Sequence, residues 1–257
     1  MRRVDDLPFR IEAIDGSEKP DVVHLAGADS VALQAFGAIE EPKGVTRFSR
    51  FNGVAKIGAG VPTMVVAVAD LRSQRNSLPA LLQLRQREAL TVAVVLVTAL
   101  DRTRALDALA KHFDAVVLVQ PTRGVDAIQL LTSAIEAVTG FATGDRISMA
   151  VDDVYPFYAR RGSRLHWGYG ESDLVEDAAE KALRLASIDL PSGQVDVLLH
   201  LDAFDTDAVR SLRVVGDVVR RSLPIRDISV SVSSLRPREG SRVSVVLSPS
   251  MRNAWAK

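Results

Sequence analysis

Three stretches of the chain are nearly unbroken β-rich apolar runs: Met64–Ala69, Thr91–Thr98 and Ala115–Val119. A strand buried on both faces reads this way, without the alternation of a half-exposed strand. Between them, Pro79–Glu88 and Thr103–His112 have amphipathic helical spacing. Strands alternating with helices predict a parallel sheet covered on both sides. Upstream, Phe9–Ile14 and Val22–Leu25 read as short strands separated by the turn-rich Gly16-Ser17-Glu18-Lys19-Pro20-Asp21, and Ser30–Phe36 as a short helix. Residues 37–61 are rich in glycine, show no clear period and read as loop.

Val125–Thr139 is the longest predicted helix. Val125, Ile128, Leu131, Ile135 and Val138 follow the 3–4 spacing of a core-facing stripe, Asp126 suits the N-terminal dipole and Gly140 supplies a stop. After Phe141–Asp145 the pattern changes. Ile147–Val151 reads as a strand, Leu174–Leu185 as a helix, Val195–Leu201 as a strand and Thr206–Ser222 as a helix. Ile228–Ser234 and Arg242–Leu247 alternate in character and are joined by the turn signal Pro237–Gly240. Alternation implies a mixed or antiparallel sheet with helices on one side. The fold class is therefore α/β: a parallel-sheet, Rossmann-like N-terminal domain (1–122), a central connecting helix (123–144) and an α+β C-terminal domain with a mixed sheet (145–257).

Composition narrows the functional classes. The 257 residues are 25% charged and 47% hydrophobic, which suits a folded chain with a sizeable core. Lys+Arg and Asp+Glu are both 32, so no global basic field draws the chain to nucleic acid. The absence of cysteine excludes disulfides, Cys-ligated zinc and a thiol nucleophile. His24, His112, His166 and His200 are scattered without metal-ligand spacing, and no G-x-S-x-G, GxxxxGK[ST] or GxGxxG motif occurs. Asp202, Asp205 and Asp207 after a strand read as caps for the helix that follows rather than a metal loop. The N-terminus lacks the apolar core of a signal peptide, and Val92–Leu100 is too short to span a bilayer. No membrane insertion, no cofactor and a cytoplasmic location are expected.

One segment concentrates the contact-forming side chains. All three tyrosines, Tyr155, Tyr158 and Tyr169, lie with Phe157 and Trp167 close together in sequence, just after Asp152-Asp153. Tyr and Trp suit a surface that is half apolar and half wet, or alternatively pack beneath the central helix. Asp152-Asp153 can likewise be an acidic pair in the first turn of a helix.

Several motifs resemble the FtsZ/tubulin superfamily. Ile147-Ser148-Met149-Ala150-Val151-Asp152-Asp153-Val154 resembles the loop that follows that family's central helix, I-N-x-D-F-x-D-V. Gly162–Gly170 resembles its G-x-x-x-M-G-x-G segment, and Asp177–Leu183 the A-A-x-x-A-I helix after it. Val195–Leu201, Thr206–Arg220 and Arg242–Leu247 match the last strand, helix and strand in order. Val22–Phe36 and Leu90–Thr98 match more faintly. The resemblance follows the family's order over roughly 200 residues.

The resemblance implies a GTP site built on a glycine-rich loop after strand one, G-x-G-G-x-G-x-N, whose backbone N–H groups approach the phosphates. With strand one at Phe9–Ile14, the loop here is Asp15–Asp21, with one glycine and three acids. The second phosphate loop is replaced by Asp70-Leu71-Arg72-Ser73-Gln74-Arg75-Asn76-Ser77, and the P-N-D-R segment by Pro121-Thr122-Arg123-Gly124. The expectation is a degenerate relative that has lost GTP binding and hydrolysis. The family's acidic loop, which serves the neighbouring subunit, is half kept: Asp153 holds its second acidic position, Ser148 stands for the Asn and Ala150 for the first acid. The implied partner is a protein, either a true FtsZ/tubulin-like subunit or a second copy, contacted through Ser148, Asp152, Asp153, Tyr155, Phe157, Tyr158, Trp167 and Tyr169. Filament capping, regulation or scaffolding in cell division or the cytoskeleton follows. An alternative stays open: an α/β enzyme or switch holding a nucleotide or metabolite by side chains at strand ends, near Asp15, Asp70, Arg72 and Asp101.

Overall fold

The computed structural model describes residues 22–39, 47–52, 64–72, 77–84, 89–98, 107–121, 125–143, 149, 151–159, 163–188, 190–203, 208–233 and 240–249, with backbone alone at 47–52, 142–143, 152, 203, 208 and 233. The strands are β1 (Val22–Gly27), β2 (Arg47–Asn52), β3 (Met64–Asp70), β4 (Leu90–Leu96), β5 (Ala115–Val119), β6 (Ser163–Ser172), β7 (Val195–Ala203), β8 (Ile225–Ser233) and β9 (Ser241–Pro249). The helices are α1 (Ser30–Ala38), α2 (Ser77–Gln83), α3 (Ala127–Thr143), α4 (Val151–Tyr158), α5 (Val175–Ala186) and α6 (Ala208–Ser222). Residues 107–110 add one helical turn. The chain divides into two compact units. The N-terminal unit comprises Glu18–Glu136 with Ala150–Leu165; the C-terminal unit includes Ala137–Met149 and His166–Lys257.

In the N-terminal unit every strand pairing is parallel, in the order β2-β1-β3-β4-β5-β6. β3 and β4 are buried at every position, as their continuous apolar sequence requires. Val65, Ala67, Val95, Leu81, Leu109 and Phe113 belong to one core between strands and helices. Asp114 locks the start of β4 to the turn before β5: its Oδ2 accepts from Thr91 N at 2.8 Å and Thr91 Oγ1 at 2.9 Å. The strand order reverses direction between β1 and β3, which makes their C-terminal ends the switch point where open α/β sheets bind ligands.

In the C-terminal unit the order is β6-β9-β7-β8, with β9 antiparallel to β6 and β7, and β7 parallel to β8. The expected mixed sheet is present. β8 and β9 are joined in sequence but do not pair; β7 lies between them. One face of this sheet is aliphatic: Val197, Leu199, Leu201, Val230, Val232, Val243 and Val245 pack with Ala178, Ala182, Leu212 and Val215 of α5 and α6. The opposite positions, one residue out of step, are polar, including His200, Ser231 and Ser244.

β6 and α5 show why the G-x-G and A-A-x-x-A patterns occur together. A Cβ on Gly168 would sit 1.8 Å from the Ala182 carbonyl oxygen, and one on Gly170 would sit 2.0 Å from that of Ala178. The helix backbone rests directly on the strand, which only glycine beneath and alanine above permit.

Four sequence expectations differ from the structure. Residues 47–52, expected as loop, form the edge strand β2, whose Arg-Phe-Ser-Arg-Phe-Asn sequence lacks the apolar continuity of a central strand. Gly140 does not stop the central helix, which continues to Thr143. Ile128 is half-buried and Val125 precedes the helix, 37% exposed, while Leu131, Ile135 and Val138 are fully buried as expected. Val151, expected to end a strand, begins helix α4. The expected strand Phe9–Ile14 lies outside the described residues.

Candidate functional site

The switch point is built from the turn after β1 and the turn after β3. β1 ends at Gly27, and Ala28-Asp29 leads into α1 at Ser30. Asp29 is the N-cap of α1, in extended backbone conformation, and its Oδ1 accepts from Ala32 N at 2.9 Å. That satisfies one of the helix's free N-terminal donors. Its other oxygen, Oδ2, accepts from Asp70 N at the end of β3, at 2.7 Å. A buried carboxylate of the chain itself thus takes backbone N–H groups from both sides of the switch point, the place an anionic ligand would occupy.

Asp70, also buried, faces Arg72. Arg72 Nε donates to Oδ1 at 2.9 Å, its Nη2 donates to Oδ2 at 2.8 Å, and its backbone N donates to Oδ1 at 3.0 Å. Burial alone pushes the Asp70 carboxyl up; the Arg72 hydrogen bonds and charge outweigh it and hold the group below its ordinary value. Arg72 is raised, chiefly by the same hydrogen bond, with Asp126 adding to the negative field around it. The fork of Arg72 is therefore committed to Asp70 in bidentate geometry. Asp15, Arg75 and Asp101 lie outside the described residues.

This turn corrects the assignment of strand one. The first strand of the described sheet, at the switch point, is β1, so the loop opening a helix after it is Gly27-Ala28-Asp29-Ser30 rather than Asp15–Asp21. It too contains one glycine. Asp29 was not singled out from the sequence, although an apolar strand followed by Gly-x-Asp-Ser is a legible N-cap signal.

The second candidate region is α4. Val151, Val154 and Tyr158 are buried along one side, while Asp153, Tyr155 and Pro156 are exposed, Tyr155 at 51%. Asp153 stands in the first turn, as the helix-start reading of the acidic pair anticipates. Phe157 is half-buried, its ring edge-on to Tyr158 at 5.1 Å. Tyr158 is fully buried and burial pushes its hydroxyl well up. Trp167 is 7% exposed on β6. Those two rings are packing residues, which corrects their inclusion in a contact surface. Tyr169, half-buried, hydrogen-bonds Glu171 through its hydroxyl and lies under the Arg242 guanidinium, 5.2 Å from ring centroid. Ser148 and the Asp152 side chain lie outside the described residues.

Among the described residues no group of His, Asp and Glu has the arrangement of a metal site, and no helix is long and apolar enough to cross a membrane.

No protein-family model matches the chain, and no curated protein matches it by sequence. Solved structures do. A point mutant of FtsZ from M. jannaschii is 17% identical, with 90% of this chain and 91% of that one covered and a TM-score of 0.70. An empty FtsZ dimer from M. jannaschii is 15% identical, with 91% and 89% covered and a TM-score of 0.62. The two-unit architecture, the parallel and mixed sheets and this likeness over nine-tenths of both chains give one conclusion: the protein has the FtsZ/tubulin fold.

Proposed function

We propose that the chain is an FtsZ/tubulin-like protein that does not bind or hydrolyse GTP and works through protein contacts, as a filament cap, regulator or scaffold. The observation that carries this reading is Asp29. The N–H groups that would meet a phosphate at the switch point are given to a carboxylate of the chain. A phosphate brought there would meet like charge from Asp29 and Asp70, and the nearest described arginine is held by Asp70. The same pairing weighs against an enzyme that grips a metabolite with Asp70 and Arg72.

The contact face in this reading is the exposed side of α4, with Asp153 and Tyr155 at its centre and Ser148, Asp152 and Phe157 beside them in sequence. The partner is an FtsZ-type subunit or a second copy of the chain, in the cytoplasm, in cell division or a related cytoskeletal process.

Calorimetric titration of the purified chain with GTP and GDP tests the reading. No heat of binding is expected at protein concentrations of tens of micromolar, an affinity weaker than about −6 kcal/mol. Stoichiometric micromolar binding overturns it.

A further inference from the structure

We infer that His200 and Ser231 form a latch that terminates the central helix α3 and pins its last turn to the sheet of the C-terminal unit. A helix leaves its last four carbonyls without intrahelical donors; in α3 these belong to residues 140–143. Two of them are met from elsewhere. Ser231 Oγ donates to Gly140 O at 3.0 Å, and Met149 N donates to Phe141 O at 2.9 Å. Ser231 is completely buried and His200 is 9% exposed, so these bonds do not compete with bulk water.

The direction of the chain of bonds follows from proton counting. A serine hydroxyl has one hydrogen. It lies 3.0 Å from Gly140 O and 3.4 Å from Leu199 O, and the shorter contact takes it. Ser231 Oγ is then an acceptor toward His200 Nδ1, 2.9 Å away. The proton of that bond belongs to the imidazole, so His200 carries Nδ1–H. The relay runs from imidazole N–H to hydroxyl to helix carbonyl.

Glycine at 140 is part of the device. A Cβ there would lie 2.6 Å from both Cβ and Cγ of His200. The strand register sets His200 opposite Ser231 on the polar face of β7 and β8, one residue out of step with Leu199 and Val230 in the aliphatic core. Polar residues at these two buried positions have no role in that core; they serve the helix end. His200 and Ser231 are positioning residues for the segment carrying Ser148. That last consequence rests on the contact-face reading above; the latch itself does not.

The full chain, labelled with 15N-histidine, gives the first test by long-range proton–nitrogen NMR. The His200 Nδ1–H tautomer is expected; an unprotonated Nδ1 overturns the relay. Amide exchange gives the second. Ser231→Ala and His200→Leu are expected to speed exchange of residues 139–143 and Met149 about ten-fold or more, leaving the centres of β7 and β9 within about two-fold. His200→Asn, whose side-chain amide nitrogen stands near the Nδ1 position, is expected to restore slow exchange. Equal acceleration everywhere, or no rescue by asparagine, overturns the latch as a local device. Co-sedimentation with M. jannaschii FtsZ separates the two readings: wild type that stays in solution while the exchange pattern holds removes the contact face and keeps the latch.

Discussion

At the level of single residues, Asp29 and Asp70 show how a buried charge is made tolerable. Each carboxylate oxygen of Asp29 accepts a backbone N–H, and Asp70 is clasped by one arginine. Because Asp70 ionises below its ordinary value in the fold, the unfolded chain takes up that proton more readily. The stabilisation is complete above the unfolded pKa and is lost as pH falls through the folded one. Urea unfolding from pH 7 to pH 3 should therefore show wild type more stable than Asp70→Asn by about 1–3 kcal/mol at neutral pH. The gap should be flat above about pH 5 and shrink below about pH 4. A gap independent of pH over that range means that the carboxylate–guanidinium charge contributes nothing. This pair was legible only in part. Asp70 and Arg72 were visible as residues after a strand end, but a sequence does not show that they satisfy each other. Asp29 was passed over because Phe9–Ile14 was taken as strand one, which moved the expected phosphate loop upstream.

Among the elements, strands with a strong local signature were read well. β3, β4 and β5 are continuous apolar runs, and β5 was placed to the residue. β2 was not, because an edge strand is made by its neighbour's hydrogen bonds rather than by apolar continuity. The glycines divide in the same way. Gly140 reads as a stop by local propensity, yet tertiary packing against His200 keeps the helix going past it. Gly168 and Gly170 were noticed as a motif, and their cause is the close approach of α5. Gly37, in the last turn of α1, has nothing within 4 Å of an added Cβ. Opposite outcomes follow for one chemical change. Gly37→Ala should stabilise the chain by about 0.5–1 kcal/mol, the helix-propensity difference. Gly168→Ala meets backbone that cannot rotate away and should cost at least about 3 kcal/mol or prevent folding. Chemical denaturation of the two variants beside wild type measures both; a Gly168→Ala protein of wild-type stability shows that α5 is not seated on β6 as described.

For the whole molecule, fold and function are legible to different depths. The order of strands and helices survives at 17% identity because it is set by burial periodicity, which many sequences satisfy. Function depends on a few side chains, and fold alone does not fix it. The switch point and α4 therefore have to be tested separately. On α4, Val151, Val154 and Tyr158 hold the helix down, whereas Asp153 and Tyr155 point to solvent. Such exposed positions contribute little to stability, within about 0.5 kcal/mol when substituted, but a buried interface tyrosine often carries 2 kcal/mol or more, about a thirty-fold loss of affinity. Tyr155→Ala and Asp153→Ala should thus leave the unfolding midpoint nearly unchanged and abolish pelleting with an FtsZ filament, or self-association in a sedimentation run. A fall in midpoint that accounts for the lost pelleting assigns both residues to packing. Unchanged midpoint with unchanged pelleting removes this face of α4 from the contact and leaves the Asp29 argument standing on its own.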